Sequence, residues 1–340
     1  MITSVQQLED ILSKPSEALI RDLSKVEGDI MVLGAGGKMG PSLSRLAARA
    51  VREGGLGNRR IIAVSRFSSA EARRELEEGG VETIACDLLD DRELTQLPQA
   101  DNIIYMAGNK FGTTGNEHFT WAMNTYLPGR VAEHFRHSRT VVFSSGNIYP
   151  FMPVGSGGAD ESVAPEPLGE YAQSCLGRER IFEYHARKNG TPMAMYRLNY
   201  AVDLRYGVLL EIARAVHEER PVDVTMGHAN VIWQGDANAM ALRCLTLCSS
   251  PPAIVNITGP ETVSIRWAAH AFGERMGKTP QIVGSESETA LLNNASRSHQ
   301  LLGYPEISLL QMIDWLSDWV QAGGLTWNKP THFQQRKGKF

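Results

Sequence analysis

The chain has 340 residues, 42% of them hydrophobic, with 34 basic side chains set among 38 acidic ones and a formal net charge of −4. That length suits one large α/β domain with an elaboration, or two modest domains sharing a cleft, and the interspersed charges leave no basic face to track a phosphate backbone, so no nucleic-acid partner is expected. Met1 to Asp10 lack the basic flank and apolar run of a secretory signal and no apolar stretch reaches membrane-span length, so no membrane association and a cytoplasmic location are expected.

Residues 4 to 26 read as helical through Leu8, Ile11, Leu12, Ile20 and Leu23, and Pro15 divides them into two short helices. This extension either covers the following domain or joins a subunit contact. Asp29 to Leu33 is a short apolar strand running into glycines, and a helical pattern follows at Leu43, Leu46, Ala47, Ala50 and Val51. Further strands are read at 61–64, 81–85, 102–106 and 140–143, with helical material between them. Apolar strands separated by crossovers predict a Rossmann-like α/β fold, with a parallel sheet covered by helices on both faces. A loop at Gly155 to Ser162 leads to a helix from about Tyr171 to Lys188 and a strand at Met193 to Leu198. Helices at 209–219, 236–247 and 264–276, mixed with short strands at 221–225, 231–233 and 253–257, fit a smaller C-terminal lobe. The expected division is a helical extension over 1–27, a Rossmann domain over 28–200, a mainly substrate-binding lobe over 201–325 that shares elements with it, and a tail over 326–340. The tail lacks a usable apolar period and reads as a mobile or intersubunit end.

Cys86, Cys175, Cys244 and Cys248 show no paired-motif spacing. Cys244 and Cys248 share a helix face as small buried side chains, and neither the cysteines nor the histidines suggest a metal site.

Gly34-Ala35-Gly36-Gly37-Lys38-Met39-Gly40 places Gly-x-x-Gly-x-x-Gly between a strand and an apolar-periodic helix. Missing β-carbons let such a turn approach a pyrophosphate, and amides at the helix start neutralise it, which points to a dinucleotide. The second strand ends in Ser65 and Arg66, where a carboxylate would accept from a ribose hydroxyl. A hydroxyl and a cation instead suit a 2′-phosphate, which favours NADP over NAD, while a solvated Arg66 is the plain alternative.

Glu170-Tyr171-Ala172-Gln173-Ser174-Cys175 and Val142-Phe143-Ser144-Ser145-Gly146-Asn147-Ile148-Tyr149-Pro150 together resemble the tyrosine helix and serine strand of the extended short-chain dehydrogenase/reductases, of the epimerase/dehydratase type. Glu161, Pro165 and Pro167 follow that family's loop, and the likeness runs over most of residues 28–320. It implies that Ser145, rather than Ser144, polarises the substrate oxygen, and that Tyr171 transfers the proton. Asn124 lies in the helix that crosses the site, Asp87 with Leu88 approaches the adenine, and Ala107 with Gly108 lies beneath the nicotinamide ribose. One position departs from the pattern. The family carries a lysine four residues after the tyrosine, where its charge favours phenolate and its amine holds the cofactor ribose; here Cys175 stands in that place near the cofactor. Lys110 is a candidate for partial replacement, and the cofactor's own charge is another contribution.

Arg197 to Tyr200 resembles the strand and loop that enter the substrate lobe, with Tyr200 on the cofactor side. Arg205 reads either as a clamp for an anionic substrate or as a structural ion pair. His118, Asn147 and His228 are candidate substrate contacts, and Trp233 reads as packing. The implied function is NAD(P)-dependent oxidation, reduction or epimerisation of a sugar, sugar nucleotide or related polyol or carbonyl compound by a homodimer. Dehydration needs a further acid or base, for which Glu170 is a loose candidate. The missing lysine raises a rival from another class, a redox-sensing or structural protein that binds nucleotide with little turnover.

Overall fold

The structure, a computed structural model, describes residues 2–110 and 112–338. Strand β1 (Ile30–Leu33) is buried at every position and pairs in parallel with β2 (Ile61–Ser65), which pairs in turn with β3 (Glu82–Ala85). On its other side β1 pairs with β4 (Asn102–Tyr105), followed by β5 (Arg139–Ser145), the strand Met193–Leu198 and the strand Ala253–Ile257. The result is a seven-stranded parallel sheet, the Rossmann-like α/β fold expected from the sequence. Chain order reverses at β1, so the crevice beyond its C-terminal end is where a doubly wound sheet binds ligands.

Alternate residues of β1 build separate cores. Ile30 and Val32 meet the side that carries Leu43, Leu46 and Ala47, whereas Met31 and Leu33 meet the side that carries Phe135 and Phe182. The two initial helices, α1 (Val5–Leu12) and α2 (Glu17–Leu23), are capped by Ser4 and Ser16, with Pro15 between them. Their fully buried Leu8, Leu12, Leu19 and Leu23 cover the body of the same chain. Next in order come α3 (Gly40–Glu53), α4 (Ala70–Glu78), α5 (Asp91–Gln96), α6 (Glu117–Trp121), α7 (Leu127–His134) and the long α8 (Gly169–Asn189).

The C-terminal lobe has its own core, in which helices Val208–His217, Ile265–Met276 and Leu309–Gln321 gather around Trp233, Phe272 and Trp319. Ala253–Ile257, read from sequence among the lobe's short strands, extends the main sheet instead. The tail also differs from its reading as a free end. Thr331 and Phe333 are buried, Thr331 Oγ1 donates to Glu211 Oε2 at 2.9 Å, and Arg336 Nη1 donates to the Thr289 carbonyl at 2.7 Å. Single anchors, rather than a repeating apolar stripe, hold this segment down. No helix among the described residues is long and apolar enough to cross a membrane.

Phe333 is 2% exposed, so Phe333→Ala should lower unfolding stability by about 3 kcal/mol through lost burial and the cavity left behind. Urea unfolding measures this, and an unchanged midpoint would mean that the tail is not docked.

Candidate active site

Gly34 has φ +89°, and a β-carbon there would lie 2.7 Å from the Ala107 amide nitrogen, so the turn after β1 closes only with glycine. At Gly40 a β-carbon would collide with the Ala35 carbonyl, which lets α3 begin directly under the loop. No side chain caps α3 and Pro41 opens it, so its first amides remain available to an anion. The loop divides two cavities that both touch Gly34, Gly37, Met106 and Gly108.

One cavity, of about 380 Å³, is lined by Gly36, Ser65, Arg66, Asp87, Leu88 and Ala107 among others. Arg66 is exposed at its rim, and the Asp87 side chain accepts from the Leu89 amide at 3.0 Å. The other cavity, of about 220 Å³, brings together Lys38, Met39, Gly40, Lys110, Ser145, Tyr171 and Tyr200.

The strand and the long helix set the geometry of this second cavity. Side chains alternate across β5, so Ser144 Oγ donates to Glu179 at 2.6 Å, while the Ser145 hydroxyl bonds that of Tyr171 and accepts from the Asn147 amide at 3.2 Å. Tyr171 lies in the first turn of α8, and Cys175 one turn later is fully buried against Ile148, Tyr149 and Ala159. Cys175 hydrogen-bonds Tyr171 and does not line the cavity, which corrects its placement as a cofactor-facing residue. Burial, then the Cys175 thiol, push the Tyr171 hydroxyl well above its ordinary range. Burial likewise raises the Cys175 thiol, so it is no ready thiolate.

Asn124 sits in a π-helical turn at Ala122–Tyr126, a local widening that aims it inward. Its Oδ1 accepts from the Asn109 amide at 2.8 Å and from Arg178 Nη2 at 2.7 Å, while Nδ2 donates to the Asn109 carbonyl at 2.9 Å and to Ser174 Oγ at 3.0 Å. All four hydrogen-bonding positions are thus committed to the protein. Arg178 lines the same cavity and was not singled out from the sequence. Its signal was legible, because spacing i, i+4, i+7 puts residues 171, 175 and 178 on one helix face.

Two lysines face the cavity. Lys38 reaches from the glycine loop to donate to the Ala201 carbonyl at 3.0 Å and lies 3.9 Å from the centre of the Tyr206 ring. Burial pushes its ammonium down to about 7, opposed by Asp203 and aided by Lys110. Burial also lowers Lys110, with Cys175 and Glu211 opposing.

Several expected substrate contacts lie elsewhere. Arg205 is an ion-paired residue, not a clamp: Nη1 meets Glu9 at 2.7 Å and Nη2 meets Asp203 at 3.1 Å. His118 is exposed on α6, and His228, in a short bridge to Ser264, lines neither cavity. Asn147 borders a third cavity of about 240 Å³, which shares Tyr200 with the second and is closed by His332 and Gln335 of the tail. Glu170 is exposed and accepts from Trp121 Nε1.

No family model and no curated protein matches the sequence. Solved structures do match the fold. UDP-glucuronic acid 4-epimerase from Bacillus cereus, as a mutant in complex with a fluorinated UDP-sugar and NAD, superposes with a TM-score of 0.72 at 18% identity, over 86% of this chain and 99% of that one. UDP-glucose 4-epimerase from Thermus thermophilus, in complex with NAD, gives 0.70 at 17% identity over 86% and 99%. The dTDP-glucose 4,6-dehydratase from Streptomyces venezuelae, with NAD bound, gives 0.72 at 16% over 86% and 97%. The chain therefore has the fold these proteins share, over nearly their whole length.

The Lys38 shift has a definite sign in the free protein. With the folded value near 7 and the ordinary one at 10.5, the unfolded chain binds the extra proton between them, so stability rises with pH across that window. Lys38→Met should remove that part of the rise in denaturation series from pH 7 to 10; an unaltered pH slope would show that the amine is not buried as described.

Proposed function

We propose that the protein is an NAD(P)-dependent oxidoreductase or epimerase acting on a sugar, sugar nucleotide or related polyol or carbonyl compound. The observation that carries the reading is the hydrogen-bonded pair Ser145 and Tyr171 in a cavity that opens beside the glycine loop. The glycine cradle fits a dinucleotide, because its tight turn against Ala107 and Ala35 closes only without β-carbons at Gly34 and Gly40, leaving backbone amides at the start of α3 to face an anion. Gly34, Gly36, Gly37 and Gly40 would take the pyrophosphate, with the amides of Lys38 and Met39 turned toward it. Asp87, Leu88 and Ala107 would enclose the adenosine, and Gly108 and Tyr200 the nicotinamide side. The nicotinamide, when bound, supplies the acceptor or donor of hydride.

The chain's own part is proton handling and orientation. Ser145 donates to the substrate oxygen and holds it against Tyr171, which as phenolate takes the proton of an alcohol and as phenol gives one to a carbonyl. Asn124 acts through position, since its amide locks the Asn109 backbone to α8 and has nothing left for a ligand. Lys110 adds positive charge to the cavity lining. Sugar nucleotides as substrates agree with the enzymes that share the fold, and a homodimer agrees with the family resemblance. The dehydratase reading is weaker, because Glu170 is exposed and outside the cavity. Little turnover is the second reading, favoured by the Cys175 contact that raises Tyr171.

Purified protein with NADP⁺ or NAD⁺ and a panel of UDP- and dTDP-sugars should produce an altered sugar. Net oxidation or reduction is seen as a mass change with nicotinamide absorbance. Epimerisation, which changes neither, is seen as a new species in NMR or chromatography that resolves the epimers. Tyr171→Phe should reduce the rate by roughly 10²–10⁴-fold while nucleotide still binds. Binding without conversion of any panel member would favour the low-turnover reading.

The cofactor preference rests on the adenosine end. Ser65 and Arg66 stand where a ribose-binding carboxylate would, and Ser68 lines the same cavity. NADPH should bind more tightly than NADH, and Arg66→Ala should weaken NADPH by about tenfold or more with NADH unchanged, as loss of one charge-assisted contact requires. Calorimetry that finds equal losses for both nucleotides would remove the 2′-phosphate assignment.

A further inference from the structure

The proposed chemistry asks for a positive charge near the Tyr171 hydroxyl, and Cys175 cannot carry one. One turn beyond Cys175, Arg178 is only 6% exposed, yet its guanidinium reaches the cavity wall. Nη1 donates to the Phe143 carbonyl at 2.8 Å, two residues before Ser145, and Nη2 donates to Asn124 at 2.7 Å. A β-carbon on Gly108 would lie 2.5 Å from Nη2, so the guanidinium fills the space that this glycine leaves. Nε is buried without a hydrogen-bond partner. The adjacent carboxylate, Glu179, is held by Arg197 at 2.7 Å.

We propose that Arg178 is the positioning cation of the tyrosine site, supplying from one turn further along α8 the fixed charge that Cys175 cannot give. The inference rests on the Tyr171 reading of the function. Six titratable or charged groups surround the tyrosine: Cys175 and Arg178 on its own helix, Lys110 after β4, Lys38 in the glycine loop, and Tyr200 and Tyr206 from the lobe. Arg178 pulls the Tyr171 hydroxyl downward against burial, and both Arg178 and Lys110 lower the neighbouring Cys175. A guanidinium is a fixed charge rather than a titrating one, whereas burial lowers both lysines. Asn124 and the Phe143 carbonyl fix the guanidinium, so the charge sits in place before substrate arrives.

The test follows the ionisation of Tyr171 by NMR of protein carrying isotope-labelled tyrosine, with Tyr171→Phe assigning the signal, both without nucleotide and with NADPH. Arg178→Met should raise the titration midpoint by about one pH unit or more, Arg178→Lys should leave it near the wild-type value, and Lys110→Met should move it less than Arg178→Met. An unchanged midpoint in Arg178→Met, or a larger rise in Lys110→Met, overturns the proposal. So does a wild-type Tyr171 that stays protonated up to alkaline unfolding in both states. Arg178→Met removes two hydrogen bonds, and if it fails to fold, Arg178→Lys decides: a rise in midpoint despite the retained charge overturns the assignment. Failure of NADPH to bind would count against the proposed function alone, because the titration without nucleotide still reads the effect of Arg178.

Discussion

Glu179 and Arg197 are each about 3% exposed and meet through two hydrogen bonds, Nε to Oε1 at 2.9 Å and Nη2 to Oε2 at 2.7 Å. A charge pair this deep is tolerable only when its remaining donors and acceptors are satisfied. Ser144 donates to Glu179, Arg197 Nη1 donates to the Tyr149 hydroxyl at 2.6 Å, and that hydroxyl donates to Asn256 at 2.9 Å. Asn256 Nδ2 in turn donates to the Ala159 and Asn294 carbonyls, each at 3.0 Å. One polar network therefore ties α8, β5, the two strands beyond it and the loop after Ser145 into a single register. Ser145 and Tyr171 come from segments 26 residues apart (171 − 145), and this network is what keeps them facing one another.

The same helix carries the cavity's charge. Tyr171, Cys175, Arg178 and Phe182 follow one another along α8, and Phe182 anchors the far end against Tyr105 with ring centres 5.0 Å apart. Lys38, Lys110 and Arg178 all border the cavity, and its described lining contains no Asp or Glu. Such a surplus of cations in a partly dehydrated pocket favours an anionic ligand, and burial is the main reason both lysines shift downward.

Much of this was legible in the residues. Gly34 to Gly40 announced a tight turn between a strand and an apolar helix, and the likeness of the Val142–Pro150 stretch to a family serine strand singled out Ser145, which the structure sets against Tyr171. Other features depend on contacts between segments distant in sequence. Arg205 offered the same guanidinium to a ligand or to a carboxylate; Asp203 nearby takes part of it, and Glu9, 196 residues earlier (205 − 9), takes the rest. The tail had no apolar period because the isolated residues Thr331, Phe333 and Arg336 anchor it, and periodicity cannot register a single Phe333. By contrast, the helix Leu309–Gln321 was readable from Leu309, Met312, Ile313, Leu316 and Val320 after the cap Ser308. Arg178 was readable too, had the helix face been followed one turn past Cys175.

The N-terminal extension explains why the cavity wall is held at its open side. Glu9 on α1 reaches Arg205 of the lobe at 2.7 Å through Oε1 and Arg45 of α3 at 3.3 Å through Oε2. Since α3 begins at the glycine loop and Arg205 precedes Tyr206, one carboxylate spans the two walls between which Lys38 extends. A second tie runs beneath it, where Gln234 and Asn238 both donate to Ser42 Oγ, at 3.0 and 2.9 Å. An exposed ion pair would contribute little here, but these side chains are mostly buried and fixed by helices at both ends, so they constrain geometry more than they add net stability. The distance from loop to lobe is therefore set by segments outside the pocket, and the position of Lys38 over the Tyr206 ring follows from that clamp.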